Sequence, residues 1–206
     1  MARVQPIDRE SAPELEDTFA SVEQHLGVLP NSTLTMAHRP DIMRSFAELN
    51  EAVMGPGEVT QDLKQMVAAV VSTAAGCRYC QAHTSQVATL RGVPVEKVRA
   101  LWDYPTSAQF RPAERTALAI AQAAGVTPNC VTDEMRDELA RHFTASQIVE
   151  IVAVVSLFGF LNRWNDTMAT ELEKSAHQFA RTHLAARGWV VGHHGSEYHS
   201  RQQDLS

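Results

Sequence analysis

Apolar positions recur at helical spacing along most of this chain. Ile42, Phe46, Leu49 and Val53 are separated by four, three and four residues, the stripe of an amphipathic helix, and Gly55-Pro56-Gly57 ends it. Thr60 caps the next predicted helix, with Asp62 in its first turn. Leu63, Met66, Val67, Val70 and Val71 line one broad face of it, and the alanines between them predict burial on most sides. A second helix begins around Cys77 and continues through Val87 and Leu90 to a cap at Gly92. Pro94 opens a short helix, Pro112 a longer one ending at Gly125, and Thr132 caps Asp133 to His142. Thr144-Ala145-Ser146-Gln147 is a capping box before the most apolar stretch, predicted to end near Leu161 or run on to Thr170. Ser11-Ala12-Pro13-Glu14 predicts a similar box for a first helix ending near Gly27, and Leu172 to Ala186 a last amphipathic one. No stretch alternates strongly enough to require a strand, so the expected fold is all-α.

The chain partly repeats itself. Met66-Val67-Ala68-Ala69-Val70 matches Ile151-Val152-Ala153-Val154-Val155 at an offset of 85 residues, and each block follows a Thr-initiated helix start. The two quasi-repeats run over about 42–92 and 112–175, inside one helical domain of residues 1–190. In this register Cys77 lies opposite Asn162, Cys80 opposite Asn165 and Gln65 opposite Glu150. Packing about a pseudo-two-fold axis brings Glu150 or Asn162 towards the first copy. Residues 191–206 read as a polar tail containing His193, His194 and His199, with Trp189, Val190 and Val191 as a local anchor.

Composition narrows the setting. A net charge of -6 argues against a nucleic-acid partner. The longest apolar run, Ile148 to Leu161, falls short of a membrane span, and Met1 to Glu10 lacks the apolar core of a signal peptide. Three cysteines do not make a disulfide framework; one reactive pair in a cytoplasmic protein is the expectation.

The chemistry gathers in Gly76-Cys77-Arg78-Tyr79-Cys80-Gln81-Ala82-His83-Thr84. On a helix the two thiols and His83 stand on successive turns of one face. A helix N-terminus favours thiolates, and an imidazole can take a proton from a thiol. The pair can then cycle between dithiol and disulfide. Cys77, nearer the helix start, suits exchange with an external dithiol; Cys80, deeper and closer to His83, suits attack on a small oxidant. Zinc is a second reading, with Cys77, Cys80 and His83 as three ligands and His142 or His177 as a fourth, but successive turns converge on one ion with difficulty. Inert buried thiols are a third reading. No Gly-rich nucleotide fingerprint occurs, so electrons must come from a partner.

This motif, together with Phe-Gly-Phe-Leu-Asn-Arg-Trp-Asn-Asp at Phe158 to Asp166, resembles the alkylhydroperoxidase D and carboxymuconolactone decarboxylase superfamily, on its peroxidase-related branch. The resemblance covers roughly residues 36–175. It implies an all-helical homo-oligomer, commonly a trimer or hexamer, that reduces hydroperoxides and is recycled by an external dithiol or a lipoyl-bearing carrier protein. It implies Cys80 as the peroxidatic residue and Cys77 as the resolving one, with neither metal nor bound cofactor. Two positions depart from the family pattern. Gln65 stands where the family has glutamate, and His83 lies one residue early, with Thr84 in its place. Glu48, Glu51, Glu58 and Glu150 are the carboxylates available to complete a relay to His83, and Glu150 is favoured by the repeat. A cofactorless decarboxylase-like lyase and a redox-responsive oligomer without catalysis are the competing functions.

Overall fold

The computed structural model describes residues 4–195. Ten α-helices succeed one another: α1 Glu16–Leu26, α2 Asn31–Met36, α3 Pro40–Met54, α4 Gln61–Ala74, α5 Arg78–Leu90, α6 Val95–Arg99, α7 Pro112–Gly125, α8 Asp133–His142, α9 Ala145–Met168 and α10 Lys174–His183. Among the described residues there is no strand, as the absence of alternating sequence predicts.

Helix α4 is the centre of the bundle. Every residue from Leu63 to Ser72 is buried, and α5, α7 and α9 pack around it. Alanine and valine at successive turns let these neighbours approach closely. Helix α9 lays Ile151, Val154, Leu157 and Phe158 on this core, while Val149, Val152 and Phe160 remain exposed. By length and composition α9 could cross a membrane, but here it packs against α3, α4, α5 and α7. A second, smaller core gathers Cys77, Tyr79, Cys80 and Ala82 with Leu172, Ala176, Ala180 and Trp189. A third joins Leu15 and Phe19 to Met36 and Met43 at the N-terminal end.

Local chemistry sets several boundaries. Thr144 accepts a hydrogen bond from the Gln147 N–H at 3.2 Å, and the Gln147 side chain accepts one from the Thr144 N–H at 3.0 Å, completing the expected capping box. Thr132 caps α8 through the Met135 N–H at 3.3 Å. The box expected at Ser11 does not form. Arg9–Ser11 and Pro13–Leu15 are separate 3₁₀ turns, and α1 starts at Glu16. Helix α9 runs unbroken to Met168. The last helix starts at Lys174, not Leu172, because the Leu172 N–H is committed to the His194 carbonyl at 2.9 Å.

A buried dithiol at a helix N-terminus

Gly76 separates α4 from α5 in the left-handed region, at φ 81°, where a side chain would be strained. The turn delivers Cys77 in extended conformation to the N-cap of α5. Its sulfur receives the Cys80 N–H at 3.5 Å, so it faces the unsatisfied donors of the first turn. Both sulfurs are free thiols, with Cys77 1% and Cys80 3% exposed. A hydrogen bond from the Cys80 thiol, reinforced by His194, pulls Cys77 down to about 5 against the opposing effect of burial. Burial and the neighbouring Cys77 push Cys80 well up, although the Asn165 amide donates to its sulfur at 3.4 Å. The two shifts belong to one coupled pair, with ionisation favoured on Cys77 over Cys80. The sequence expectation puts the attacking thiolate on Cys80, whereas the deeper sulfur bears the larger desolvation penalty.

His83 does sit one turn after Cys80, but its ring is engaged elsewhere. Its Nε2 bonds Glu173, whose other carboxylate oxygen receives the Tyr79 hydroxyl at 2.9 Å and the Asn31 N–H. Burial opposes ionisation of Glu173, yet His83 and these donors hold its carboxyl below the usual range. A carboxylate thus reaches His83, but it is Glu173, and none of Glu48, Glu51, Glu58 and Glu150. Glu150 binds buried Lys64 at 2.9 Å and receives the N–H groups of Glu58 and Val59 at 2.8 and 3.2 Å. It is a structural clasp between α9 and the start of α4. Gln65 is buried in α4 and makes no hydrogen bond to His83 among the described residues. The zinc reading loses its third ligand, because the His83 ring is spent on Glu173. Its two proposed fourth ligands are engaged elsewhere too, His142 with Glu138 and His177 beside the Trp189 ring.

The imidazole beside Cys77 is His194. It is fully buried, and its reactive atoms, those of Asp166 and the Cys77 sulfur all lie within 4.8 Å of one another. Nδ1 contacts the Thr170 carbonyl at 2.8 Å, which assigns the proton to that nitrogen and leaves Nε2 towards the thiol and the Asp166 carboxylate, 3.6 Å away. Trp189 donates its indole N–H to the Arg78 carbonyl at 3.1 Å, and Val191 packs against the same apolar cluster. The expectation of a tail from residue 191 is thus corrected for 191–195, which close over the dithiol; His199 lies outside the described residues. The Trp189-Val190-Val191 anchor was the sequence signal for this docking. Asn165, which the offset repeat set opposite Cys80, was the other.

A cleft of about 440 Å³ opens beside the site, lined by Val71, Ala74, Gly125, Asn162, Arg163 and Asp166. Asp166 belongs both to its wall and to the Cys77–His194 group. A larger groove of about 630 Å³, between α3 and α9, contains none of these polar side chains.

Fold and site together define an all-helical protein with an N-capped CxxC dithiol. The carboxymuconolactone decarboxylase family model matches residues 40–123. The debrominase Bmp8, solved in complex with 2,3,4-tribromopyrrole as a cysteine-to-alanine variant, is 38% identical with a TM-score of 0.84, over 87% of this chain and 96% of that one. A peroxidase-related protein of Ralstonia eutropha JMP134 with an alkylhydroperoxidase D core shares the fold at 23% identity and a TM-score of 0.74, over 86% of this chain and 95% of that one. YnjA of Escherichia coli K12 is 34% identical over 106 residues, which are 52% of this chain and 58% of YnjA, less than two thirds of that relative's length. The chain belongs to the alkylhydroperoxidase D and carboxymuconolactone decarboxylase superfamily.

Proposed function

We propose that this protein is a dithiol-dependent reductase of small electrophiles, with hydroperoxides as its first substrate class. The observation carrying this reading is Cys77 at the N-cap of α5, its sulfur receiving the Cys80 N–H at 3.5 Å and its thiol drawn down to about 5 while Cys80 is pushed up. The Cys77 thiolate attacks the terminal peroxide oxygen. An S–O bond forms, the O–O bond breaks, and an alcohol leaves once protonated. Cys80 then attacks the resulting sulfenic acid, forming the Cys77–Cys80 disulfide and releasing water. An external dithiol returns both thiols by exchange. His83, bonded to Glu173 and against the Tyr79 ring, helps to position Tyr79 beside the site. The 440 Å³ cleft is the route inwards, since both sulfurs are covered from solvent.

A second reading is favoured by the 38% identity to a debrominase. The same thiolate can take a halogen from an aromatic ring. The ring carbon gains a proton, Cys80 displaces halide from sulfur, and the same disulfide results. Both readings use two electrons from one dithiol. The exposed apolar residues Ile42, Leu49 and Phe160 on α3 and α9 support assembly between copies, which sedimentation would reveal.

The test supplies a small dithiol and follows either peroxide consumption or bromide release from 2,3,4-tribromopyrrole. Turnover of peroxide that falls by more than about a hundredfold in Cys77→Ser supports the peroxidase reading. Bromide release without peroxide turnover selects the second reading. Turnover of neither, with thiols no more reactive than free cysteine, rejects both.

A further inference from the structure

We propose that His194 is a catalytic proton partner of Cys77: its Nε2 shares the thiol proton at rest and returns it to the leaving oxygen when Cys77 attacks. This rests on the dithiol reading and names a residue outside the segment matched by the family model, which ends at residue 123.

Geometry carries the inference. The imidazole is 0% exposed, so its ring atoms meet protein groups and not bulk water. Its orientation is set from both sides. Nδ1 is tied to the Thr170 carbonyl, and the His194 backbone carbonyl accepts the Leu172 N–H. With Nδ1 committed, Nε2 is the ring nitrogen left without a hydrogen-bond partner among the described residues, in a group whose His194, Asp166 and Cys77 atoms lie within 4.8 Å of one another. The Tyr79 ring stands beside it, 5.8 Å between centroids, and completes an apolar wall. The charged and titratable groups facing the pair are Cys80 and Tyr79 from α5, Asp166 from α9, and His193 beside it, whose Nε2 meets Asp166 at 3.1 Å. Glu173 acts one step further away, through Tyr79. The Asp166 carboxylate lies 3.6 Å from His194 Nε2. His83, one turn from Cys80 but bonded to Glu173, does not occupy this position.

The proton balance closes. In the proposed cycle the Cys77 proton passes to His194 before attack, and Cys80 is a thiol. Attack transfers oxygen to sulfur, and the alkoxide takes the His194 proton to leave as alcohol. When Cys80 displaces hydroxide from the sulfenic acid, its own proton completes the water. Two electrons pass from the dithiol to the peroxide, and the external dithiol supplies the next pair.

The test reads the thiolate itself, separately from turnover. Thiolate ultraviolet absorbance of the reduced protein is titrated in wild type and His194→Gln, with His83→Gln beside them. His194→Gln should move the Cys77 midpoint up by about one pH unit, a tenfold loss of thiolate below it, while His83→Gln leaves it in place. Added imidazole should recover part of the lost single-turnover rate in His194→Ala. A second measurement is independent of any His194 variant: nitrogen-15 NMR should show the His194 ring titrating at lower pH in Cys77→Ser than in wild type. An unchanged Cys77 midpoint in folded His194→Gln, or a His194 ring indifferent to Cys77→Ser, overturns the proposal. If the midpoint moves but wild type turns over no electrophile, the proton partnership holds and the reductase reading fails.

Discussion

Met66 to Val70 and Ile151 to Val155 carry matching apolar blocks, yet the chain continues beyond them in opposite ways. In the first copy Gly76 breaks the helix at φ 81°, and α5 starts afresh with Cys77 at its N-cap. In the second copy the corresponding position is Leu161, and α9 runs through it to Met168. The break creates unsatisfied N–H groups and places a thiol against them. The continuous helix instead carries Asn162, Asn165 and Asp166 to the same place, and Asn165, one repeat of 85 residues away, reaches the Cys80 sulfur at 3.4 Å. One copy supplies the reacting atoms and the other a polar wall. Similar apolar blocks thus lead to helices of different fate, and the Gly76 break is what leaves a helix N-terminus beside a thiol.

The pairing of the two copies is broken most severely at the clasp between them. Glu150→Ala leaves Lys64 charged and buried, with only the Val53 and Gly55 carbonyls as acceptors, and should cost about 3 kcal/mol in a denaturant titration. The Cys77 titration of the folded fraction should not move, because Glu150 does not touch the site. Gly57→Ala is a related probe, since an added Cβ would collide with the Glu150 carboxylate.

Glu173→Gln attacks the site's own carboxylate and should cost about 2 kcal/mol at neutral pH. The Glu173 carboxyl is held below its unfolded value, so its contribution is full above the unfolded value and is lost as pH falls through the folded one. Wild type and variant should therefore converge in stability as the solution is acidified. Gly76→Ala comes next, at about 1–2 kcal/mol for a left-handed residue with a side chain. It should also raise the Cys77 midpoint by loosening the N-cap. Thr144→Ala removes the box that starts α9, costs about 1 kcal/mol and leaves the thiols unchanged. Thermal melts and thiolate titrations on the same samples would rank the Glu150, Glu173, Gly76 and Thr144 variants.

Much of this was legible in sequence because it is local. The helical stripes, the Thr132 and Thr144 caps and the Gly76 break each depend on residues a few positions apart. The cysteine pair declared itself for the same reason. The proton partners did not, because they come from far along the chain: Glu173 reaches His83 across 90 residues, and His194 is fixed by Thr170 and Leu172 rather than by its own helix. A Gly- and His-rich stretch has no periodicity to betray that its backbone pairs with a distant loop. The offset of 85 residues set Asn165 opposite Cys80, and its amide lies 3.4 Å from that sulfur. The same offset chose Glu150 wrongly because an equivalent position in the frame says nothing about the buried lysine waiting there.

Which sulfur reacts first decides whether the N-capped thiol is the nucleophile. Cys77→Ser and Cys80→Ser are each given one equivalent of hydroperoxide in the presence of a sulfenic-acid label, and the label is located by mass spectrometry. Rapid labelling of Cys77 in Cys80→Ser and slow labelling of Cys80 in Cys77→Ser are expected, because ionisation is favoured on the N-capped thiol. Rapid labelling of Cys80 with an inert Cys77 would contradict this and restore the deeper cysteine as the nucleophile.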